Sequence, residues 1–422
     1  MNFINLTYLY CNNNNNLRHL PENMHFPNLE ILTCRNNLLT HLPDNMNFPN
    51  LANLKCAYNK LIHLPDNMTL PNLRGLYLNN NLLTYLPDNM YFPHLEILTC
   101  SNNLLIHLPE TMFFLNLSYS ECTHTKLTYL SENMNFPNLS YLNFAYNNLT
   151  HLPKNMYLPN LSYLDCSFNK LRHLSENINL PNLEILYCYE NQLTHLPDNM
   201  RLPNIQKLNL DNNNLTHLSD TMHFPNLKVL SCCKNKLTHL PDNMRLPNIQ
   251  KLNLDNNNLT HLPDNMNFPN LEILTCNNNL LKHLPENMIL YNLQRLYCNN
   301  NLLTYLPDTM VFPNLHILIC NNNNLSHLPE NMILYNLQRL YCNNNLLTYL
   351  PDTMVFPNLH ILICNNNNLS HLPLCILTFH HLILLDYDNN PIILSPQIGR
   401  VVQRIQNSSI NKLNVYNNRL IL

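Results

Sequence analysis

Apolar and polar positions alternate over a short stretch, break at an Asn, and resume after a fixed interval along nearly the whole chain. The unit reads cleanly in Leu29-Glu30-Ile31-Leu32-Thr33-Cys34-Arg35-Asn36-Asn37-Leu38-Leu39-Thr40-His41-Leu42-Pro43, and its full pattern is L-x-x-L-x-C-x-x-N-x-L-x-x-L-P-x-x-M-x-F-P-N. Units start at Leu6, Leu29, Leu51, Leu73, Leu95, Leu117, Leu139, Leu161 and Leu183. They continue from Ile205, Leu227, Ile249, Leu271, Leu293, Leu315, Leu337 and Leu359, which makes seventeen units of 22 residues, the first one residue longer. A fixed short period predicts a solenoid, which offers a long binding surface rather than one active site.

The two-residue alternation around Leu32-Thr33-Cys34 predicts that each unit opens with a short strand. Successive strands must lie parallel, because the chain advances by the same translation each time. At the bend after the strand stands an Asn: Asn37, Asn59, Asn81, Asn103, Asn147, Asn169, Asn191 and onwards. An inward amide both donates and accepts, so a ladder of Asn would satisfy turn backbone groups that water cannot reach. Leu39 and Leu42 then turn inward, Pro43 ends any helix, and Met46 and Phe48 close the core from the outer side. Pro in nearly every unit predicts an extended or 3₁₀ outer side. The expected class is an α/β-type repeat solenoid dominated by β. About seven apolar side chains per unit, at roughly 1.5–3 kcal/mol each before entropy, allow stacked neighbours to sustain it.

These residues closely resemble the leucine-rich repeat family, in its short 22-residue class with an L-P step, over roughly residues 3 to 422. The resemblance implies a curved right-handed arc, a concave parallel β-sheet, a mostly extended or 3₁₀ convex side, and protein recognition as the usual role. The repetitive, Asn-rich texture is similar to leucine-rich repeat proteins of giant DNA viruses. The expected organisation is a solenoid over 1–373 and irregular repeats with a C-terminal cap over 374–422. In the cap, Leu382, Leu385, Tyr387, Asn390 and Ile392 form an eighteenth unit, and a short helix near 396–406 carries Ile398, Val401, Val402 and Ile405. Ile410, Leu413, Val415, Asn418 and Leu420 make a truncated last strand. The N-terminus shows no comparable cap. The unit at Leu117, with Ser120 for Leu, Thr125 for Asn and Leu115 for Pro, is a candidate soft point or change of curvature.

A net charge of −3 and a pI near 6.7 exclude a strongly basic footprint for nucleic acid or membrane. No run approaches eighteen apolar residues, and Met1-Asn2-Phe3-Ile4-Asn5 has neither a basic start nor an apolar core, so neither a membrane span nor a secretory signal is expected. Of fifteen cysteines, thirteen share one repeat position, which Leu78, Phe144, Leu210 and Leu254 also fill. That exchange with Leu and Phe reads as an apolar filler, reduced and buried, with disulfide and metal roles as alternatives. The consistent setting is an intracellular, reducing compartment, the host cytoplasm for a viral chain.

With Gly75 and Gly399 the only glycines, phosphate-cradling loops, dinucleotide fingerprints and nucleophile elbows are absent. No catalytic residue, cofactor or metal set is expected; Cys375 near His380 and His381 matches no ligand spacing. The third and fifth positions of each unit are more informative. By the family's geometry they project onto the concave face, and they carry Ile31, Ile97, Tyr119, Tyr141, Tyr163, Ile185, Tyr187, Arg295, Tyr297, Ile317, Ile319, Arg339, Tyr341, Ile361 and Ile363. Apolar and Tyr-rich stripes of this extent mark interfaces; a sheet that tolerates exposed Ile and Tyr for β-propensity is the plainer alternative. Residues 95–190 and 293–363 are the expected centres. A further stripe before the L-P step, from His19 and His41 to His371 with Tyr85, Tyr129, Tyr305 and Tyr349 interspersed, should line one flank, with repeat-copied filler as its default reading. The leading function is a non-enzymatic scaffold holding an unknown protein partner; the alternative is a structural or self-assembling repeat protein.

Overall fold

The computed structural model describes residues 3–109, 114–132, 134–154, 156, 158–175, 179–220, 222–264, 266 and 268–409, with helix side chains as far as 405. Two compact units divide the chain: Met1–Asn214 with Thr221–Phe224, and Leu215–Asp220 with Pro225–Leu422.

Every repeat opens with a three-residue strand. In the first unit these run from β1 (Tyr8–Tyr10) to β10 (Lys207–Asn209), each pairing in parallel with the next in chain order. In the second unit β11 (Val229–Ser231) to β18 (Leu384–Asp386) pair the same way. Equivalent repeat positions face each other throughout, as Ile97 faces Tyr119 and Ile273 faces Arg295. The central Leu of the strand points inward with the residues before and after it outward, which is the strand period of two. Even the unit at Leu117, where buried Ser120 replaces that Leu, pairs both neighbours in the common register.

The core is a set of stacked columns. Leu29, Leu32, Leu39 and their apolar counterparts up to Leu369 are fully buried, whereas Leu6, Leu9 and Leu17 of the first repeat are half-buried, and Phe26 and Phe48 stack at 5.7 Å on the outer side. After each strand the chain makes a tight turn with one residue at positive φ, from Asn13 at 59° to Asn389 at 55°. Asn is the best-tolerated non-glycine residue in that left-handed region, which accounts for its abundance. The following Asn is buried and closes the turn. Asn59 donates to the carbonyls of Cys34 (2.7 Å) and Cys56 (3.1 Å) while its oxygen accepts from the Leu39 amide (3.0 Å). The same triple contact recurs at Asn169, Asn257 and Asn345. Thr125 enters the ladder by donating its hydroxyl to Asn147.

The outer side is extended and turn-rich, with isolated parallel bridges such as Thr69–Tyr91 and Ile333–Val355 between neighbours. A second Asn ladder fastens it: the Asn of F-P-N donates to a carbonyl of the preceding repeat, as Asn50 to Pro27 (2.8 Å) and Asn160 to Pro137 (2.7 Å). The sequence pattern contains this Asn, but its partner becomes visible only in three dimensions.

The cysteine column fills the core as Leu and Phe do, Cys34, Cys56, Cys276 and Cys298 being fully buried. Burial holds the Cys298 and Cys342 thiols well above their ordinary range and pushes Cys320 up to about 12. The expectation of a wholly reduced column meets one exception: Cys100 and Cys122 are joined in a disulfide, their Cα atoms 4.9 Å apart. The physical reason is the stacking itself. Parallel pairing holds equivalent residues about one strand spacing apart, inside the span that a disulfide bridges. The Cys166 and Cys188 sulfurs lie 3.2 Å apart for the same reason.

After the last regular repeat, a 3₁₀ turn (Leu374–Thr378) and β18 precede helix α1 (Pro396–Ser409), which packs on both. Ile398, Val402 and Ile405 are its buried face, while Val401 is half-buried. Ser395 receives the first-turn amide of Ile398 on its hydroxyl (3.4 Å). The truncated last strand read from Ile410 to Leu420 lies outside the described residues.

Candidate protein-interaction face

In-register pairing sets Ile97, Tyr119, Tyr141, Tyr163 and Ile185 side by side on five consecutive strands, all half-buried. The three tyrosine rings form a near-parallel pile, with centroids 4.4 Å apart and interplanar angles of 5° and 7°. Tyr187, from the fifth position, meets Tyr163 edge-on at 5.8 Å. Carboxylates flank the pile. The Tyr119 hydroxyl donates to Glu121 (3.0 Å), and the buried Asp165, two residues after Tyr163, accepts from the Ser167 amide (2.9 Å) and hydroxyl (2.5 Å). Burial, and then the neighbouring carboxylates Glu121 and Asp165, hold the Tyr119 and Tyr163 hydroxyls well above the ordinary phenol range.

A second aromatic row, which the strand pattern does not reveal, runs along the adjoining turns. His124, Tyr146 and Phe168 occupy the left-handed turn position, at φ 51°, 58° and 52°. Their rings stack at 4.1 Å, and Tyr189 closes the row edge-on to Phe168 at 5.2 Å. Tyr187 and Tyr189 touch at 6.2 Å, so the strand row and the turn row form one aromatic surface. The signal in the sequence was the replacement of Asn at this position in four successive units, the fourth carrying Glu190, legible only once the position is known to be left-handed. Placing L-residues with large side chains there costs about 1–2 kcal/mol each. Stacking, at roughly 0.5–1.5 kcal/mol per pair, offsets part of it.

Elsewhere the expected face is less continuous. Ile31 stands between Tyr8 and Asn53, and is separated from Ile97 by Gly75, where the ring of Tyr77 occupies the space a side chain would need. In the second unit Arg295, Ile317, Arg339 and Ile361 alternate cation and hydrocarbon on neighbouring strands, with Tyr297, Ile319, Tyr341 and Ile363 as the parallel row two residues on. Ile361 is nearly closed, 9 % exposed, between Arg339 and Leu384. It presents little surface. The His and Tyr stripe does form a flank of neighbouring rings, His19 and His41 at 5.1 Å and His107 and Tyr129 at 5.9 Å. Thr hydroxyls engage several of these imidazoles at Nδ1, as at Thr216 and His217 (3.0 Å).

Among the described residues no three His, Cys, Asp or Glu side chains gather as a metal site, and no helix is long and apolar enough to cross a membrane. A leucine-rich repeat family model matches residues 203–259. No curated protein sequence matches the chain. Among solved structures, YopM from Yersinia enterocolitica aligns with a TM-score of 0.64 and 28 % identity, covering 92 % of this chain and 88 % of its own. A leucine-rich repeat protein of Leptospira interrogans aligns with a TM-score of 0.65 and 28 % identity, over 85 % and 89 % of the two chains. A plant peptide hormone receptor, solved in complex with its peptide, shares the fold at 18 % identity and a TM-score of 0.55, over 92 % and 78 %.

Proposed function

With a leucine-rich repeat solenoid as the premise, we propose that this chain is a non-enzymatic protein-interaction scaffold that grips a partner on its strand-bearing face, concave by the family's geometry. The double aromatic row from Tyr119 to Tyr189 carries the reading. A folding role alone would be met by Asn at the left-handed turn, as in most other repeats. Three consecutive bulky residues held there at a cost in backbone energy are what a site under functional demand shows. Rigid, amphipathic rings are also the side chains that anchor interfaces. The fold is compatible with such a role, since the plant receptor was solved holding a peptide hormone and one Yersinia relative is described as a leucine-rich effector protein. The intracellular setting belongs to the same proposal; the column of buried thiols favours it, and the Cys100–Cys122 disulfide counts against it.

The test is capture of partners from lysate by the wild type and by two variants. One carries Ile97→Glu, Tyr163→Glu and Ile185→Glu; the other carries Tyr146→Asn and Phe168→Asn, which restore the common turn residue and preserve the fold. A protein held by the wild type and lost by both folded variants supports the scaffold and names its partner. Identical captures, or none, refute the aromatic surface as the site.

Self-assembly is the second reading, and one observation favours it. Strand β1 pairs with β2 (Ile31–Thr33), and at that end Phe3, Ile4, Tyr8 and Tyr10 are 49–65 % exposed. An apolar strand edge is a template for another chain. A mass by light scattering that rises with concentration, and is flattened by Tyr10→Lys, would favour this reading over the scaffold; a constant monomer mass would remove it.

A further inference from the structure

Beside the L-P and L-S steps of three successive repeats lies a cavity of about 930 Å³, lined by His151, Lys154, Lys170, Arg172, His173 and His195, with uncharged residues between them. Among the described residues no carboxylate lines it. The size is that of a ligand pocket, and its charge runs against the rest of the chain, whose net charge is −3.

The repeat itself shows how unusual this charge is. The residue after the L-P or L-S step is Asp or Glu in every other repeat from Glu22 to Asp352, and Lys in one, at Lys154. Arg172 stands where most repeats carry Thr or Ser. A substitution that inverts the charge of a position copied along the whole array, next to a second added cation and a cavity, is not repeat-copied filler. Two acidic neighbours bear on the site. Glu132, from the preceding repeat, accepts the Lys154 backbone amide (2.8 Å) and lies 4.0 Å from His151 Nε2, which positions that corner; Glu176, next to Ser175 in the chain, lies outside the described residues. Against Glu132 the three fixed cations leave an excess of positive charge. Thr150 and Thr194 engage Nδ1 of His151 and His195 at 3.1 and 3.0 Å, which turns Nε2 of His195 towards a ligand, while Nε2 of His151 already faces Glu132.

We infer that this cavity binds a phosphate-bearing anion, either free or carried on a peptide. A phosphate monoester brings about −1.5 to −2 charges and three strong acceptor oxygens. Arg172 can engage two of those oxygens with its planar fork, while Lys154 and Lys170 supply point charges. The residues are distinct from the aromatic surface, and the inference does not depend on it.

The experiment is calorimetric titration of the full chain with inorganic tripolyphosphate, and separately with a phosphoserine peptide and its unphosphorylated counterpart. The comparison is with Lys154→Glu plus Arg172→Thr, which returns both positions to the residues other repeats carry. A matched control, Lys282→Thr, removes a cation at the place equivalent to Arg172 in another repeat. Saturable binding that falls by roughly tenfold or more in the double variant, with melting temperature and the control unchanged, supports the site. Preference for the phosphopeptide over the bare peptide assigns the phosphate to a partner chain; binding of tripolyphosphate alone assigns it to a free anion. No saturable binding of either probe, or equal loss in the control, overturns the inference.

Discussion

Replacing Asn301 by Ala tests the claim that the buried Asn ladder, rather than strand pairing alone, fixes each turn. The Asn301 amide donates to the carbonyls of Cys276 (2.9 Å) and Cys298 (3.2 Å), and its oxygen accepts from the Leu281 amide (3.1 Å). The side chain is 6 % exposed, and both Cys residues are fully buried. Alanine leaves three buried backbone groups without this partner, each costing ~1–3 kcal/mol. Carbonyls retain a second lone pair and the turn can relax, so the lower end applies, giving about 3–5 kcal/mol in all. Because each repeat contacts only its neighbours, the loss should be local. Hydrogen exchange is therefore the assay, with urea unfolding alongside, since long arrays depart from two-state behaviour. The Leu281 amide should lose protection by two or more orders of magnitude, corresponding to about 3 kcal/mol or more, while amides several repeats away keep theirs. Asn301→Thr, the residue this chain itself carries at Thr125, should cost less. Unchanged protection at Leu281, with a global loss below ~1 kcal/mol, would refute the reasoning.

Phe168→Ala should destabilise the chain more than Phe168→Asn. Both lose the rings of Tyr146 and Tyr189, but only Asn also relieves the left-handed backbone at φ 52°; equal melting of the two variants would show that the turn carries no strain. Asp255→Asn should raise the melting temperature at pH 7. Burial holds the Asp255 carboxyl above its ordinary range, although Asn277 backbone and side-chain contacts pull the other way. A raised folded value means that the group's contribution is complete below the unfolded value and lost as pH rises through the folded one. The gain from Asn should thus shrink towards pH 3; a gain independent of pH would point to packing instead. Thiol labelling of the native chain should be confined to the half-buried Cys11, Cys233 and Cys375, and the fully buried column should react only on unfolding. Rapid native labelling at Cys276 or Cys298, measured by peptide mass, would contradict the burial assigned to them.

Much of the architecture was legible because two periods coincide in each repeat. Alternation over Ile31-Leu32-Thr33 marks a strand with one inward Leu, and the fixed interval dictates parallel, in-register neighbours. The inward Asn was legible from its chemistry alone. What the strand pattern could not convey was lateral. The turn row of His124, Tyr146, Phe168 and Tyr189 depends on a left-handed backbone position that brings side chains of adjacent repeats within 4.1 Å. The Asn50-to-Pro27 ladder and the Cys100–Cys122 pair likewise arise between residues about one repeat apart in sequence. Ile361 shows the converse limit. A position that is outward by parity can still be covered by its strand neighbours.

A copied repeat also supplies its own baseline, which a globular chain lacks. Residues 286–329 recur identically as 330–373, so those repeats can multiply without new surface chemistry. Their equivalent contacts recur as well: Tyr305 donates to Glu286 at 2.8 Å and Tyr349 to Glu330 at 2.7 Å. Against that background, departures gather in the repeats from Leu117 to Leu183: aromatic residues at the left-handed turn, a tyrosine pile on the strands, and an inverted charge at Lys154. Drift after duplication would scatter such changes and favour the backbone-compatible residue at each place. Here most of the aromatic changes are clustered, with Tyr58 at φ 57° standing apart, and at the turns they go against the backbone's preference. Their neighbours make them coherent, since each ring stacks on the next and the cations share one cavity. On the proposed scaffold reading, contact with something outside the chain would account for both the clustering and the cost, and this segment is where a partner should be sought first.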